Sequence, residues 1–444
     1  MEKNTTVGNE KILSLFDAGS FVEVGAYVKG AGSDVFCGVI CGYGSVNGKL
    51  VFAFAQDMDR TKGAMDAAAA RKLKMLYDMA IKNGAPVVGM FDSCGAVVYD
   101  GSAALSAYGQ WLRCVSEASG VIPQIAVVTG VCAGTAAVAA SMFDITIMAG
   151  DQAELYINAP FLIGKESGKA RAAAENGTIG MVCDTVEAAI AKARELAELL
   201  PSNNAECEVT EVGDVNQLLP ETVSLPGDLL DAGAFTELYA AYGTDVSVGL
   251  GRLGGYTVGL VYAKAALTAD GAGKAARFVE FCDSFGMPVI TLVDSEGFSL
   301  NTAAHVQPVS AAYGRLASAY ANASCAKITL ICGAAYGAAF TLLGSKALGA
   351  DLVFALPQAV IGTLSPAQAV ALVWNDRVSN QTPREALEKE WIEKYAAPEL
   401  AAANGDVDDI IPVSELRMRL CAAVYMLAAK ADGAPDRKHP VLPL

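Results

Sequence analysis

Short β-branched and aromatic runs alternate along this chain with longer stretches whose apolar positions recur at helical spacing. Residues 50–55 and 257–263 read as strands, and each is followed by a helical pattern, at 67–82 and 273–285. Next come apolar runs that end in aspartate, 87–92 and 289–294, then a second helix, then strands at 125–129 and 328–332. Those strands pass through a Gly-rich turn into an Ala-rich helix, and a further strand begins at Asp144 or Asp351. Strands alternating with helices predict βαβ units, a largely parallel sheet and helices covering it. Nearer the C-terminus, Thr382-Pro-Arg-Glu385 has the pattern of a capping box with proline at the first helical position. It predicts an amphipathic helix running toward Tyr395, used for packing or for oligomer contacts.

The same order of elements occurs twice because the chain repeats itself. Phe16-Asp-Ala-Gly-Ser-Phe-Val-Glu23 returns as Leu230-Asp-Ala-Gly-Ala-Phe-Thr-Glu237. Four further blocks, beginning at Gly48, Gly84, Gly130 and Asp144, return at Gly255, Gly286, Gly333 and Asp351. All five keep their order, with offsets between 202 and 214 residues. An internal duplication explains the order; chance similarity does not. Between the halves, residues 201–227 are rich in Pro, Asn and acidic side chains and read as a linker. The expected division is 1–200, linker 201–227, and 228–444.

Composition narrows the chemistry. With 32 Lys and Arg against 48 Asp and Glu in 444 residues, the net charge is −16, which disfavours nucleic acid as a partner. Apolar residues make up 53% and charged residues 18%, too apolar a chain for disorder. Eleven cysteines at irregular spacings give no disulfide framework. Cys37 and Cys41 lack a second pair that would complete a zinc site, so buried reduced thiols and no metal are expected. The polar first ten residues predict no secretory signal, and the uncharged stretches 125–143 and 328–345 are broken by glycine. They read as core rather than membrane spans, which fits a cytoplasmic enzyme. Only His305 and His439 could serve histidine-dependent chemistry.

Chemistry is best placed at the two strand-to-helix turns, Gly130-Val-Cys-Ala133-Gly134-Thr135 and Gly333-Ala-Ala-Tyr336-Gly337-Ala338. The first N–H groups of a helix have no intrahelical partner, and small residues let a carbonyl approach them. An oxyanion hole of this kind stabilises an enolate by about 3–4 kcal/mol per donor. The plain alternative is that these glycines only let helix pack on strand. Gly249-Leu-Gly251-Arg-Leu-Gly254 matches a dinucleotide fingerprint literally, but a strand follows it, so it reads as a hairpin turn. His305 has no nucleophile elbow to accompany it, Lys74-Met75 lacks the biotinyl context, and no Walker loop is present. Arg60, Lys62, Arg71, Lys72 and Lys74 form the densest basic stretch, either a solvated helix face or a contact for nucleotide phosphates.

On these residues the chain resembles the carboxyltransferase subunits of biotin-dependent acyl-CoA carboxylases and decarboxylases, of the propionyl-CoA carboxylase β and methylmalonyl-CoA decarboxylase α type. The resemblance is carried by FDAGSFVEV (16–24), NGAPVVG (83–89), ASGVIPQIAVVTGVCAG (118–134), LPSNN (200–204), AARFVEFCDSFGMPVITLVDSEGF (275–298), GSKALGADLVFALP (344–357) and GDVDDII (405–411). It implies an α/β fold of two tandem crotonase-like (ClpP/crotonase) domains, the first on the acyl-CoA side and the second on the biotin side. It also implies sites facing one another across a dimer interface in a homohexamer. The oxyanion pairs implied are Gly134 with Thr135 and Gly337 with Ala338. Cys94, Gly95, Ala133, Tyr336 and Phe340 are implied to face substrate, with Arg60 and Lys62 near the CoA moiety.

The reaction implied moves a carboxyl group between carboxybiotin and a CoA thioester through an enolate, in the carboxylase or the decarboxylase direction. Biotin would arrive on a separate biotin carboxyl carrier protein, and further partners would be a biotin carboxylase or membrane decarboxylase subunits. The chain departs from the family at Asp92-Ser-Cys94-Gly-Ala-Val97, usually Asp-Ser-Gly-Gly-Ala-Arg, at Thr135, usually Gly, at the His-free stretch 176–181, and at Glu296, usually Pro. Those departures motivate an alternative, a catalytically weakened paralogue acting as a structural subunit of a mixed ring. A crotonase-type hydratase or hydrolase would need a carboxylate pair that the sequence does not offer.

Overall fold

Each half of the duplicated sequence folds around an eight-stranded sheet of the same topology. The computed structural model describes residues 6–30, 34–158, 160–164, 166–210, 212–220, 222–299, 309–432 and 440–442. Two units are compact by themselves, Met1–Glu206 and Cys207–Leu444.

The first unit contains β1 (Val22–Val24), β2 (Val39–Val46), β3 (Lys49–Gln56), β4 (Val87–Ser93), β5 (Gln124–Ala133), β6 (Ile145–Ala149), β7 (Glu154–Tyr156) and β8 (Met181–Cys183). They run in the order β1-β2-β3-β4-β5-β6-β8, with β7 paired to β5. Its helices are α1 (Val7–Leu15), α2 (Ala67–Asn83), α3 (Ser102–Ala118), α4 (Thr135–Ser141), α5 (Pro160–Ile163), α6 (Ala170–Glu175) and α7 (Val186–Leu199). The second unit contains β9 (Thr236–Leu238), β10 (Val246–Leu253), β11 (Tyr256–Ala263), β12 (Val289–Ser295), β13 (Lys327–Tyr336), β14 (Leu352–Ala355), β15 (Val360–Gly362) and β16 (Asp409–Ile410). Their order is β9-β10-β11-β12-β13-β14-β16, with β15 paired to β13. Its helices are α8 (Ala269–Ser284), α9 (Val309–Asn322), α10 (Ala338–Leu342), α11 (Pro366–Val373), α12 (Arg384–Trp391), α13 (Pro398–Ala403) and α14 (Leu416–Leu427).

The long helices begin where side chains cap them. Asp66 accepts the Ala69 N–H at the start of α2, and Thr268 accepts the Gly271 N–H at the start of α8. Their buried faces are rich in alanine, so helix backbones lie close to the sheet. The cores then differ in chemistry. Phe54, Phe91, Trp111 and Phe143 cluster edge-on and stacked in the first unit, whereas Leu260, Ile290, Leu292, Ile328 and Leu330 fill the second.

Several expectations change in detail. Strands β5 and β13 run on to Ala133 and Tyr336, so Gly130 and Gly333 lie inside strands and only Gly134 and Gly337 make the turn. Residues 201–227 are not a free spacer. Asn203 donates to the Gly84 carbonyl (2.9 Å) in the first unit, while in the second Thr210 N–H donates to Gly255 (3.1 Å) and Leu219 is buried in the core. Thr382 does not cap α12, which begins after Pro383 without a side-chain cap; the capping box is Ser365 with Gln368, opening α11 with Pro366 in its first turn. Gly254 and Gly255 form the β10–β11 hairpin turn, as the sequence suggested. All eleven cysteines are free thiols, seven of them buried, and burial pushes Cys41 up to about 12. Stretches 125–143 and 328–345 form interior strands and the helices after them; no helix among the described residues is long and apolar enough to cross a membrane.

The repeated Asp-Ala-Gly segment explains its own repetition. Asp17 accepts N–H groups of Asn47 (3.1 Å) and Gly48 (3.2 Å) at the β2–β3 turn and pairs with Arg194 of α7 (2.8 Å). Asp231 accepts N–H groups of Gly254 (3.1 Å) and Gly255 (2.9 Å) at the β10–β11 turn and pairs with Arg417 of α14. Each arginine also donates to a leucine carbonyl two residues before its aspartate, Leu15 or Leu229. The first strand hairpin and the last long helix of each unit are thereby tied together. Burial pushes the Asp231 carboxyl up, but Gly255, Arg417 and Gly254 outweigh it and hold the group below its ordinary value. A depressed carboxylate stabilises the fold above its unfolded pKa, about 3.9, and that contribution is lost as pH falls through the folded value. Asp231→Asn is therefore expected to lose about 3–5 kcal/mol at pH 7 in urea unfolding, the range for breaking a largely buried pair. The gap to the parent protein should narrow as pH drops below about 4; a gap independent of pH would refute the charge argument.

Candidate active site

Asp92 and Asp294 set up the ends of the central strands. The Asp92 carboxylate takes the Val131 N–H (3.3 Å), and a Cβ on Gly130 would lie 2.1 Å from its Oδ1. Asp294 takes the Ala334 N–H (2.8 Å), and a Cβ on Gly333 would lie 2.3 Å from its Oδ1. A carboxylate thus occupies the space of the missing side chain. The strand register shifts at this point, between Phe91 and Ser93 and between Val293 and Ser295.

Beyond the shift, Ser93 aligns with Cys132 and Ser295 with Ala335. Gly134 (φ +57°, ψ −126°) and Gly337 (φ +55°, ψ −135°) then turn the chain into α4 and α10 through a conformation that only glycine adopts readily. Here the structure corrects the expected donor pairs. Gly134 N–H donates to Tyr156 of β7 (2.8 Å) and Gly337 N–H to Gly362 of β15 (2.9 Å), so neither amide is open. Thr135 and Ala338 keep the opening position of each helix, and their N–H groups have no partner among the described residues.

The loop after the neighbouring strand holds a second N–H with no partner among the described residues. Met65 N–H donates to Gly95 (2.8 Å) and Val97 N–H to Met65 (3.0 Å), which turns the Ala96 N–H away from that ladder. Leu267 N–H donates to Gly297 (2.8 Å) and Ser299 N–H to Leu267 (2.9 Å), which does the same for Phe298. Ala96 and Thr135 each stand three residues past the aligned pair Ser93–Cys132, and Phe298 and Ala338 three past Ser295–Ala335. In the second unit both Phe298 and Ala338 line one cavity of about 870 Å³. Ala96 and Phe298 escaped the sequence reading, although the repeated Gly95 and Gly297 beside them were its visible signal.

The other expected residues divide. Tyr336 lines the same cavity; burial raises its hydroxyl pKa, and Glu296 and Asp294 add to the effect. Phe340 instead lines an adjoining cavity of about 570 Å³ with Thr341, Trp391 and Tyr395. Ala133 ends β5 and pairs with Tyr156. Cys94 is exposed and its N–H donates to the Lys62 carbonyl (3.1 Å), which ties the Cys94-Gly95 loop to the basic segment. Lys62 is exposed in a left-handed conformation (φ +56°), whereas Arg60 is half-buried, its Nε 3.4 Å from the buried Asp57. The basic run is no single solvated face: Lys72 is buried near Glu23 (3.7 Å) and Lys74 pairs with Asp78 (2.6 Å). His305 and His439 lie outside the described residues.

In each unit a strand-end turn and a helix start come together at the end of the central strands. Comparison with known proteins makes this specific. Residues 1–442 match the carboxyl transferase domain, and the chain belongs to that family. It is 33% identical to a putative propionyl-CoA carboxylase beta chain of Bacillus subtilis, over the whole chain and 94% of that protein. It is 31% identical to the methylmalonyl-CoA decarboxylase subunit alpha of Veillonella parvula, over 98% of the chain and 92% of that protein. A transcarboxylase 12S crystal structure, a hexamer with methylmalonyl-coenzyme A and methylmalonic acid bound, superposes with a TM-score of 0.91 at 29% identity, covering 99% of this chain and 93% of that one. The chain is accordingly a biotin-dependent acyl-CoA carboxyltransferase with two crotonase-like domains.

The turn glycines give a direct check on this geometry. Gly134→Ala and Gly337→Ala each force a side chain into a disfavoured backbone region and are expected to cost about 1–3 kcal/mol in urea unfolding. Unchanged stability in both variants would show that the turn is not constrained as described.

Proposed function

We propose that each unit carries one oxyanion hole, built from Ala96 and Thr135 in the first and from Phe298 and Ala338 in the second. The first accepts the thioester oxygen of a short acyl-CoA as its enolate forms. The second receives the ureido carbonyl of biotin brought in on a carrier protein. Biotin, when present, supplies the ureido nitrogen that gives up or takes the carboxyl group.

The observation that supports this reading is that Phe298 and Ala338, whose N–H groups have no partner among the described residues, line one cavity in the second unit, with Ala96 and Thr135 at the matching register in the first. Two donors suit a single carbonyl oxygen, which has two lone pairs, and Phe298 and Tyr336 offer apolar walls to a ring. Main-chain donors survive side-chain replacement, so Thr135 in place of the usual glycine leaves the first hole its amide. That favours an active enzyme over a weakened structural subunit. Lys62, which is exposed and joined to the Cys94 loop, would meet the phosphates of CoA. A cytoplasmic homohexamer working with a biotin carboxyl carrier protein, and with either a biotin carboxylase or membrane decarboxylase subunits, completes the reading. The hexamer described for the transcarboxylase relative supports the assembly.

Proline at the first helical position keeps the helix while deleting its N–H. Thr135→Pro and Ala338→Pro are each expected to cut kcat for carboxyl exchange between carboxybiotin and propionyl-CoA by about 100-fold. Thr135→Val, which changes only the side chain, should stay within about twofold, since no donor is lost. Full exchange in a folded Ala338→Pro protein would overturn the donor assignment. Absence of exchange with every short acyl-CoA tried, given a competent carrier, would overturn the activity.

A further inference from the structure

The two units are alike in topology but not in how their site loops are held. In the first, α1 lies against the base of the Ser93–Val97 loop and is joined to it by two routes. Lys11, in the middle of α1, places its Nζ 2.7 Å from Asp92 Oδ2 and 3.1 Å from Thr129 Oγ1. Both partners of that ion pair are largely buried, with side chains 13% and 14% exposed. The other Asp92 oxygen takes the Val131 N–H, so one carboxylate joins α1 to the end of β4 and to the strand that leads into Thr135. The second route starts at the first turn of α1. Thr6 Oγ1 and the Gly8 N–H bind the buried Asp57 (2.6 and 3.3 Å). The Asp57 carbonyl in turn accepts the N–H groups of Arg60 (3.0 Å) and Gly63 (2.9 Å). That small loop holds Thr61 and Lys62 at positive φ and receives the Cys94 N–H at Lys62.

The duplicated unit is the internal control. Asp294 makes the matching bond to the Ala334 N–H, but no lysine or arginine pairs with it among the described residues. Instead Tyr313 of α9 donates to the Leu267 carbonyl (2.8 Å) beside the Gly297 loop. Its counterpart in the repeat, Tyr108 of the matching Ala-Tyr-Gly, is buried with no partner for its hydroxyl among the described residues. The brace supplied by tyrosine in one unit is thus supplied by α1 in the other.

We infer that Lys11 is a positioning residue for the first oxyanion hole: through Asp92 it fixes the loop that presents the Ala96 N–H and the strand that leads to Thr135. Lys11 itself touches no reacting atom. Deleting its charge leaves both hydrogen-bond donors in the chain but lets them drift relative to each other, and a hole works only when its donors stay aimed at one point. The inference rests on the reading of Ala96 and Thr135 as donors.

Hydrogen–deuterium exchange on the full chain tests the brace without any catalytic assay. In Lys11→Met, the hydrogen-bonded amides within 93–97 should exchange at least about tenfold faster, while those within 295–299, held by Tyr313, keep their rates. Lys11→Arg should restore slow exchange. Because Lys11→Met strands a buried carboxylate, Lys11→Met/Asp92→Asn serves as the charge-balanced variant, and it should show the same selective loosening. In activity, Lys11→Met should lower kcat for methylmalonyl-CoA decarboxylation about tenfold with KM within about twofold, and Lys11→Arg should recover most of it. Parent-like exchange at 93–97 in both charge-deleted variants, or equal acceleration in both loops, overturns the inference. Selective loosening without loss of kcat would refute the link to the hole while leaving the brace intact. Absence of thioester chemistry in the parent protein would refute the proposed function, a separate result from the exchange readout.

Discussion

One hydrogen bond in each unit decides whether there is a site. Gly134 gives its N–H to Tyr156, and Gly337 gives its N–H to Gly362. Each bond pins the glycine to a short flanking strand, in a conformation a side chain would resist, so the chain breaks direction there. Because the glycine amide is spent on the sheet, the next amide is the first one the helix leaves open. The aspartate at the neighbouring strand end acts one step earlier: its carboxylate fills the place of a missing Cβ and shifts the register, which brings the two strand ends into line. The proposed donor arrangement is therefore main-chain geometry set by glycine and aspartate.

Much of the fold was legible because the physics repeats. The β-branched runs, the helical spacing after them, the apolar runs ending in aspartate and the twofold order of blocks gave the βαβ units and the duplication. The Asp-Ala-Gly repeat was visible as a pattern but not as a role, since its partners Arg194 and Arg417 lie far along the chain, on the last long helix of each unit. The strand ends were misjudged for a related reason. Glycine in a strand usually signals a turn, but Gly130 and Gly333 are glycine because a carboxylate needs the room. Thr382 looked like a cap yet begins no helix, while Ser365 with Gln368 is the working box.

The site was half legible. The sequence located the turns and the helix starts, where the Thr135 and Ala338 amides have no partner among the described residues. It could not say that Gly134 and Gly337 spend theirs on β7 and β15, because that depends on strands of three residues each, too short to announce themselves by pattern. The proposed donors Ala96 and Phe298 were hidden for the opposite reason: an amide is identical in every residue, so nothing in the side chain marks a main-chain donor. The basic run misled by composition alone, since Lys72 is buried beside Glu23 and Lys74 is engaged with Asp78.

A crystal structure of the protein with an unreactive short acyl-CoA analogue would test the central claim most directly. The account places the thioester oxygen about 2.7–3.1 Å from the amide nitrogens of both Thr135 and Ala96. A thioester oxygen held by side chains, or by neither of those amides, would contradict it.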